Sequence, residues 1–155
     1  MSDLVTGADG LARCGWAGSD PEYTRYHDEE WGTPLHGDRQ LLEEMCLEGF
    51  QAGLSWITIL RRRPGFREAF HDFDPVVVAG LTESDVERLM LDPRIIRNRA
   101  KIVATIGNAR ATLELTAGDP GALDRLVWSF APEGARPQPR GLGDLAPRRP
   151  RSPLP

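Results

Sequence analysis

The chain has 155 residues, with Lys+Arg 19 against Asp+Glu 23 and a formal net charge of −4. That length favours one domain over two full ones, and 40% hydrophobic with 27% charged residues excludes a wholly disordered chain. There is no apolar run near the ~18 residues a membrane span needs, no signal-peptide start and no cysteine framework beyond Cys14 and Cys46, so a cytoplasmic protein with no membrane partner is expected.

Residues 1–10 read as a flexible start. Asp20-Pro21 and Asp74-Pro75 each set an acid before a proline that suits the first position of a helix. Asp38 precedes a proline-free run from Arg39 to Ser55, which the pattern treats as one long helix. Thr82 with Asp85 makes a capping box for a helix through Leu91. Asp92-Pro93 breaks that helix, and a basic turn leads into another from about Arg99 to Leu115. A last short helix ends near Phe130. The expectation is an all-α domain of six or seven helices over residues 11–130, with no internal repeat.

The remainder differs in composition. Residues 131–155 hold seven of the 13 prolines, five arginines and two acids, which predicts a disordered Pro/Arg/Gly-rich tail. That segment carries +3 and leaves residues 1–130 at −7, so broad, nonspecific phosphate binding is disfavoured while a local basic patch is not.

Several stretches could carry chemistry. In Leu41 to Trp56, Leu41, Met45, Glu48 and Ala52 fall on one helical stripe. Glu48, flanked by Leu47 and Gly49-Phe50, is expected among apolar neighbours, where desolvation would push a carboxyl pKa upward. The structural alternative is an internal cap or a buried ion pair with an arginine. Trp16, Tyr23, Tyr26, Trp31, Phe50 and Trp56 could be ordinary core, or could wall a slot for a flat, cationic ligand. Cys14 and His27 suit a soft metal, yet two ligands do not make a four-ligand structural zinc site. Between Asp85 and Ala109, Arg94, Arg97, Arg99 and Lys101 surround a tight turn before a helix start, which suits a phosphate as well as it suits a solvated basic turn. Arg61-Arg62-Arg63 reads as a solvated face.

Taken in order, Arg13-Cys14-Gly15-Trp16, Asp20-Pro21, Tyr23, Tyr26-His27-Asp28 and Glu30-Trp31-Gly32 resemble the amino-terminal signature of the bacterial 3-methyladenine DNA glycosylase I family. The likeness continues through Cys46-Leu47-Glu48-Gly49, Gln51-Ala52-Gly53-Leu54-Ser55-Trp56, Phe73-Asp74-Pro75, Ile95 to Ile102 and Trp128-Ser129-Phe130. The resemblance implies a helix-hairpin-helix DNA glycosylase fold acting on alkylated double-stranded DNA, with no protein partner. It implies monofunctional hydrolysis that frees 3-methyladenine in base-excision repair. By the same resemblance, Glu48 and Tyr26 hydrogen-bond the flipped base, Trp56 stacks on it, and Trp16, Tyr23 and Trp31 complete the pocket. Arg94, Arg97, Arg99 and Lys101 then hold the DNA backbone, Gly53 and Leu54 lie near the opened stack, and Cys14 and His27 bind a structural Zn2+.

The family pattern after Phe130, further helices with a His and a Cys for the zinc, has no counterpart in this sequence. That predicts a fold incomplete at the C-terminus, through truncation or a shifted reading frame, and two zinc ligands of four. Two other functions stand beside the hydrolase: a non-catalytic DNA-binding remnant, and a lyase using Lys101 as a Schiff-base nucleophile.

Overall fold

The computed structural model describes residues 4–132 and residue 134. They fall into two units: residues 4–32 together with 132 and 134, and residues 33–131. The division lies at Gly32, inside the expected 11–130 stretch. The remainder of the expected tail lies outside the described residues.

The first unit opens with an element the helical pattern did not signal. Strands β1 (Leu4–Thr6) and β2 (Ala12–Cys14) pair antiparallel, with Leu4 opposite Cys14 and Thr6 opposite Ala12. Leu4–Thr6, within the 1–10 stretch expected to be flexible, is thus one arm of a hairpin. Its turn is built from Gly7-Ala8-Asp9-Gly10: Gly10 takes a φ of 77°, and the Asp9 carboxylate accepts the Leu11 N–H at 3.1 Å. Asp-Gly is the local signal for such a turn. A single 3₁₀ turn, Gly15–Ala17, leads to α1 (Pro21–Glu29). Asp20 caps α1 as its sequence predicts, accepting the Glu22 and Tyr23 N–H groups.

The second unit is helical: α2 (Asp38–Gln51), α3 (Trp56–Leu60), α4 (Arg63–Ala69), α5 (Pro75–Ala79), α6 (Glu83–Met90), α7 (Arg99–Thr116) and α8 (Ala122–Trp128). Asp74 caps α5 through the Val76 and Val77 N–H groups, and Thr82 with Asp85 closes the expected capping box on α6. Phe50, Phe66, Phe70 and Phe73 are completely buried and form a chain of rings, 4.6 Å between Phe50 and Phe66 and 5.6 Å between Phe70 and Phe73. Burial of each contributes roughly 1.5–3 kcal/mol. Leu42, Leu47, Ile59, Leu89 and Ile102 complete the centre. Between Phe70 and Phe73 the chain makes a left-handed turn without glycine, His71, Asp72 and Phe73 having φ of 52°, 52° and 56°. The Arg39 guanidinium holds this turn by donating to the Asp72 carbonyl at 2.7 Å.

The long helix expected from Arg39 to Ser55 is broken. It ends at Gln51, where Ala52 leaves helical geometry (ψ 117°) and Gly53 takes a φ of 82°, a conformation in which a side chain is disfavoured. Trp56 therefore starts a separate helix.

Gly65 sets how closely α4 approaches the turn between α6 and α7. A methyl group there would lie 2.7 Å from the Arg94 Cβ and 2.9 Å from its carbonyl oxygen. Gly65→Ala is expected to displace that turn and destabilise the protein by about 1–3 kcal/mol, read by urea unfolding.

Candidate functional site

In the first unit, side chains from β2 and α1 meet. Arg13, whose side chain is only 10% exposed, binds two acids. Its Nε and Nη2 donate to Asp28 at 2.7–3.0 Å, and Nη1 and Nη2 donate to Asp9 at 3.0 and 2.7 Å. Asp28 also accepts from His27 Nδ1 at 2.9 Å. Hydrogen bonds from Arg13 hold the carboxyls of Asp9 and Asp28 down at about 2, against an ordinary 3.8. Both are depressed acids, so the stability they contribute is complete above about pH 4 and is lost as pH falls through 2. The urea midpoint of hairpin opening, followed by amide exchange at Arg13, is expected to drop as pH falls from about 4 to 2.

The same frame gathers the early aromatic residues. The Trp16 ring lies 5.1 Å from Tyr23, 6.3 Å from Tyr26, 5.3 Å from Trp31 and 5.3 Å from His27. His27 stacks on Trp31 at 5.5 Å. Trp16 is 37% and Trp31 50% exposed, while the two tyrosines are half-buried. Four residues expected in one aromatic group are therefore together, with indole surface open to a ligand rather than sealed into a core.

Cys14 and His27 are also neighbours. The Cys14 backbone N–H donates to His27 Nε2 at 3.3 Å, which leaves the neutral ring's proton on Nδ1, facing Asp28. The Nε2 lone pair a metal would use is engaged by that N–H. Among the described residues no cluster of three His, Cys, Asp or Glu side chains could hold a metal ion. The donors present do not fit a four-coordinate structural zinc.

In the second unit, Glu48 is not where the sequence put it. It is exposed, on the face of α2 that also carries Met45 (48% exposed), Gly49 and Ala52. Its sequence neighbours mislead because each residue turns the helix by about 100°, so Leu47 and Phe50 point into the core while Glu48 points away. The buried-acid alternative is realised one turn earlier. Glu43, 14% exposed, accepts from Arg67 Nε at 2.7 Å. Glu48 forms no hydrogen bond or ion pair with another described residue, so its carboxylate stays available. Trp56 is partly buried and packs against the phenylalanine core.

The turn over residues 52–55 is held in place. Leu54 N–H donates to the Gln51 carbonyl at 2.7 Å, and the Gln51 amide returns to the Leu54 carbonyl at 2.8 Å. The Leu54 side chain stands 38% exposed beside Gly53.

The four cations expected around the α6–α7 turn have separate roles. Arg94 binds Asp92 at 2.7 Å and also Glu68. Arg99 pairs with Glu87 at 2.6 Å and also with Glu83. Lys101 donates to the Phe50 and Ala52 carbonyls at 2.9 and 2.6 Å, so it is neither a free cation nor a free amine. Arg97 is exposed and, alone of the four, stands outside any such pairing among the described residues. Ile95 anchors the turn in the core at 3% exposure, and Asn98 caps α7 by accepting the Lys101 N–H at 3.2 Å.

One constellation escaped the sequence pattern entirely. Asp38 does not cap its own helix: it accepts the Gly121 and Asp124 N–H groups at the start of α8, at 2.7 and 3.0 Å. Asp124 reciprocates on the Gly37 N–H at 2.6 Å and meets His36 at 3.0 Å. The Gly37 N–H and His36 together hold the Asp124 carboxyl below its ordinary value. His36 stacks on Trp128 at 4.7 Å, and the indole N–H donates to the Leu35 carbonyl at 2.9 Å.

The sequence pattern of the methyladenine glycosylase family matches residues 16–152. The chain belongs to that family. It is 54% identical over 120 residues to DNA-3-methyladenine glycosylase 1 of Escherichia coli (strain K12), covering 77% of this chain and 64% of the relative. A crystal structure of 3-methyladenine DNA glycosylase I matches with a TM-score of 0.74 and 51% identity, over 76% of this chain and 64% of the other. A second, of a tyrosine-to-phenylalanine variant of such an enzyme in complex with 3-methyladenine, matches at a TM-score of 0.72 and 37% identity, over 76% and 63%. The chain thus spans a little under two thirds of the length of these relatives. The shared helical fold agrees with the expectation drawn from the sequence. No helix among the described residues is long and apolar enough to cross a membrane.

Proposed function

We propose that this chain is a DNA glycosylase of base-excision repair that hydrolyses the N-glycosidic bond of 3-methyladenine in alkylated double-stranded DNA, in the cytoplasm. The open cluster of Trp16, Tyr23, Tyr26 and Trp31 carries the proposal, in a chain 54% identical to a DNA-3-methyladenine glycosylase. A base inside a duplex is out of reach, so the nucleotide swings out of the stack at a cost of a few kcal/mol. Methylation at N3 makes the base in DNA a cation, which electron-rich ring faces attract and neutral adenine does not match.

The chemistry asks little of the leaving group. When the bond from the sugar C1′ to N9 breaks, its electron pair neutralises the base and positive charge grows on the sugar. Water supplies the oxygen that bonds to C1′ and gives up a proton. Glu48, an exposed carboxylate with no described partner, is the proposed counter-charge. Its desolvation would then come with the entering base rather than from the fold. Tyr26 is proposed to hydrogen-bond the base and Trp56 to stack on it.

The α6–turn–α7 element is proposed as the helix-hairpin-helix that holds the DNA backbone, through Arg97 and the start of α7. The Gly53-Leu54 turn is proposed to face the opened stack. Engagement of the Lys101 amine supports hydrolysis over a Schiff-base route. Cys14 and His27 alone, with His27 Nε2 engaged by the Cys14 N–H, do not make a structural zinc site, and the proposed hydrolysis uses no metal.

Titration with free 3-methyladenine and with adenine, at a mildly acidic pH where the methylated base is protonated and adenine is not, read by tryptophan fluorescence, tests the recognition. Saturable quenching by the methylated base alone is expected. Equal responses, or duplex binding with no response to either base, would assign the chain to a non-catalytic DNA-binding role instead.

A further inference from the structure

We propose that Lys101 is a positioning residue that fixes the Gly53-Leu54 turn on the end of α2, and that its ammonium does not bind a DNA phosphate. The inference rests on the reading that the hairpin and this turn work on DNA, and it gives one residue the task of joining them.

The last carbonyls of a helix have no partner within it and carry partial negative charge, so a cation placed there is favoured. Lys101 fills that place on α2. Its Nζ donates to the Phe50 carbonyl at 2.9 Å and to that of Ala52, the C-cap, at 2.6 Å. The Phe50 ring is completely buried, which fixes one carbonyl in the core, while Ala52 is the residue at which the chain leaves the helix. Beyond it, Gly53 at a φ of 82° and the two Gln51–Leu54 hydrogen bonds shape the turn that projects Leu54.

The other end of Lys101 is equally fixed. Its backbone N–H is held by Asn98, so it sits in the first turn of α7, three residues beyond the end of the 91–98 hairpin. Lys101 is therefore a direct polar link between the start of α7 and the turn, beside the core contact made by Ile95. Arginine could not substitute freely, because its planar fork does not reproduce a compact donor between two carbonyls.

Three variants separate positioning from phosphate contact: Lys101→Met, Lys101→Gln and Arg97→Ala. Two readouts are taken: amide exchange at Leu54 in the free protein, and the slope of log Kd against log salt on a duplex with an abasic analogue. Exchange at Leu54 is expected to speed about tenfold in Lys101→Met and less in Lys101→Gln, whose neutral, shorter side chain still carries N–H donors. The salt slope is expected to stay at the wild-type value in both and to fall by about one in Arg97→Ala. A slope lower by about one in Lys101→Met, or unchanged exchange at Leu54, would overturn the proposal. Should Lys101→Met fail to fold, the same two measurements on Lys101→Gln decide. If the wild-type chain binds no duplex, the DNA reading fails, and the exchange measurement alone decides whether Lys101 orders the turn.

Discussion

Glu48→Gln is expected to cut release of 3-methyladenine on the order of a hundredfold while leaving the urea midpoint and the affinity for undamaged duplex unchanged. The split follows from where the residue sits. Glu48 is exposed and pairs with no other described residue, so the fold loses nothing when its charge is removed. The loss falls on the step in which positive charge develops on the sugar, because a neutral amide keeps the shape and some hydrogen bonding but not the counter-charge. Glu48→Asp, a methylene shorter, should recover part of the rate. Quantifying the free base by chromatography under single-turnover conditions separates the chemical step from DNA release. A Glu48→Gln protein that excises at the wild-type rate would remove this carboxylate from the mechanism.

A large effect on stability away from the core is also expected at Asp38. Its two oxygens cap the start of α8 through the Gly121 and Asp124 N–H groups, and the reciprocal bond from Gly37 to Asp124 closes the arrangement. Asp38→Ala leaves two N–H groups at a helix start without their acceptor, a loss of about 1–3 kcal/mol. Asp38→Asn keeps one acceptor oxygen and should lose about half of that. Amide exchange would report the change first at Gly121 and Asp124, followed by the rest of α8. A drop in stability below about 0.5 kcal/mol for Asp38→Ala would mean that α8 is held mainly by Leu123 and by the Trp128 indole.

The parts of the fold legible in the sequence are those decided within a few residues. Asp20-Pro21, Asp74-Pro75 and the Thr82–Asp85 box read correctly because a cap is made with N–H groups two or three positions on. Asp38 also stands before a helical run but behaves otherwise, because its partners lie 83 and 86 residues away. Of the six aromatic residues expected in one group, the structure brings Trp16, Tyr23, Tyr26 and Trp31 together, while Phe50 and Trp56 join the core of the second unit.

Glu48 shows the limit of flanking residues as a guide to burial. Which face of α2 turns inward is decided by Phe50 and Leu47 meeting the rings of α4 and the turn after it, a tertiary choice that the neighbours of Glu48 do not encode. Four basic residues around one turn likewise looked equivalent. Ion pairs with Glu68, Glu83 and Glu87 and the carbonyls at the end of α2 draw three of them away, and only Arg97 among them is left without such a partner in the described residues.

The proposed activity frees one damaged base from duplex DNA. Incubating the purified full chain with methylated duplex and identifying the released bases tests it most directly. Release of 3-methyladenine, with 7-methylguanine and normal adenine left in the DNA, is the predicted result. Duplex that is bound but keeps its 3-methyladenine would contradict it.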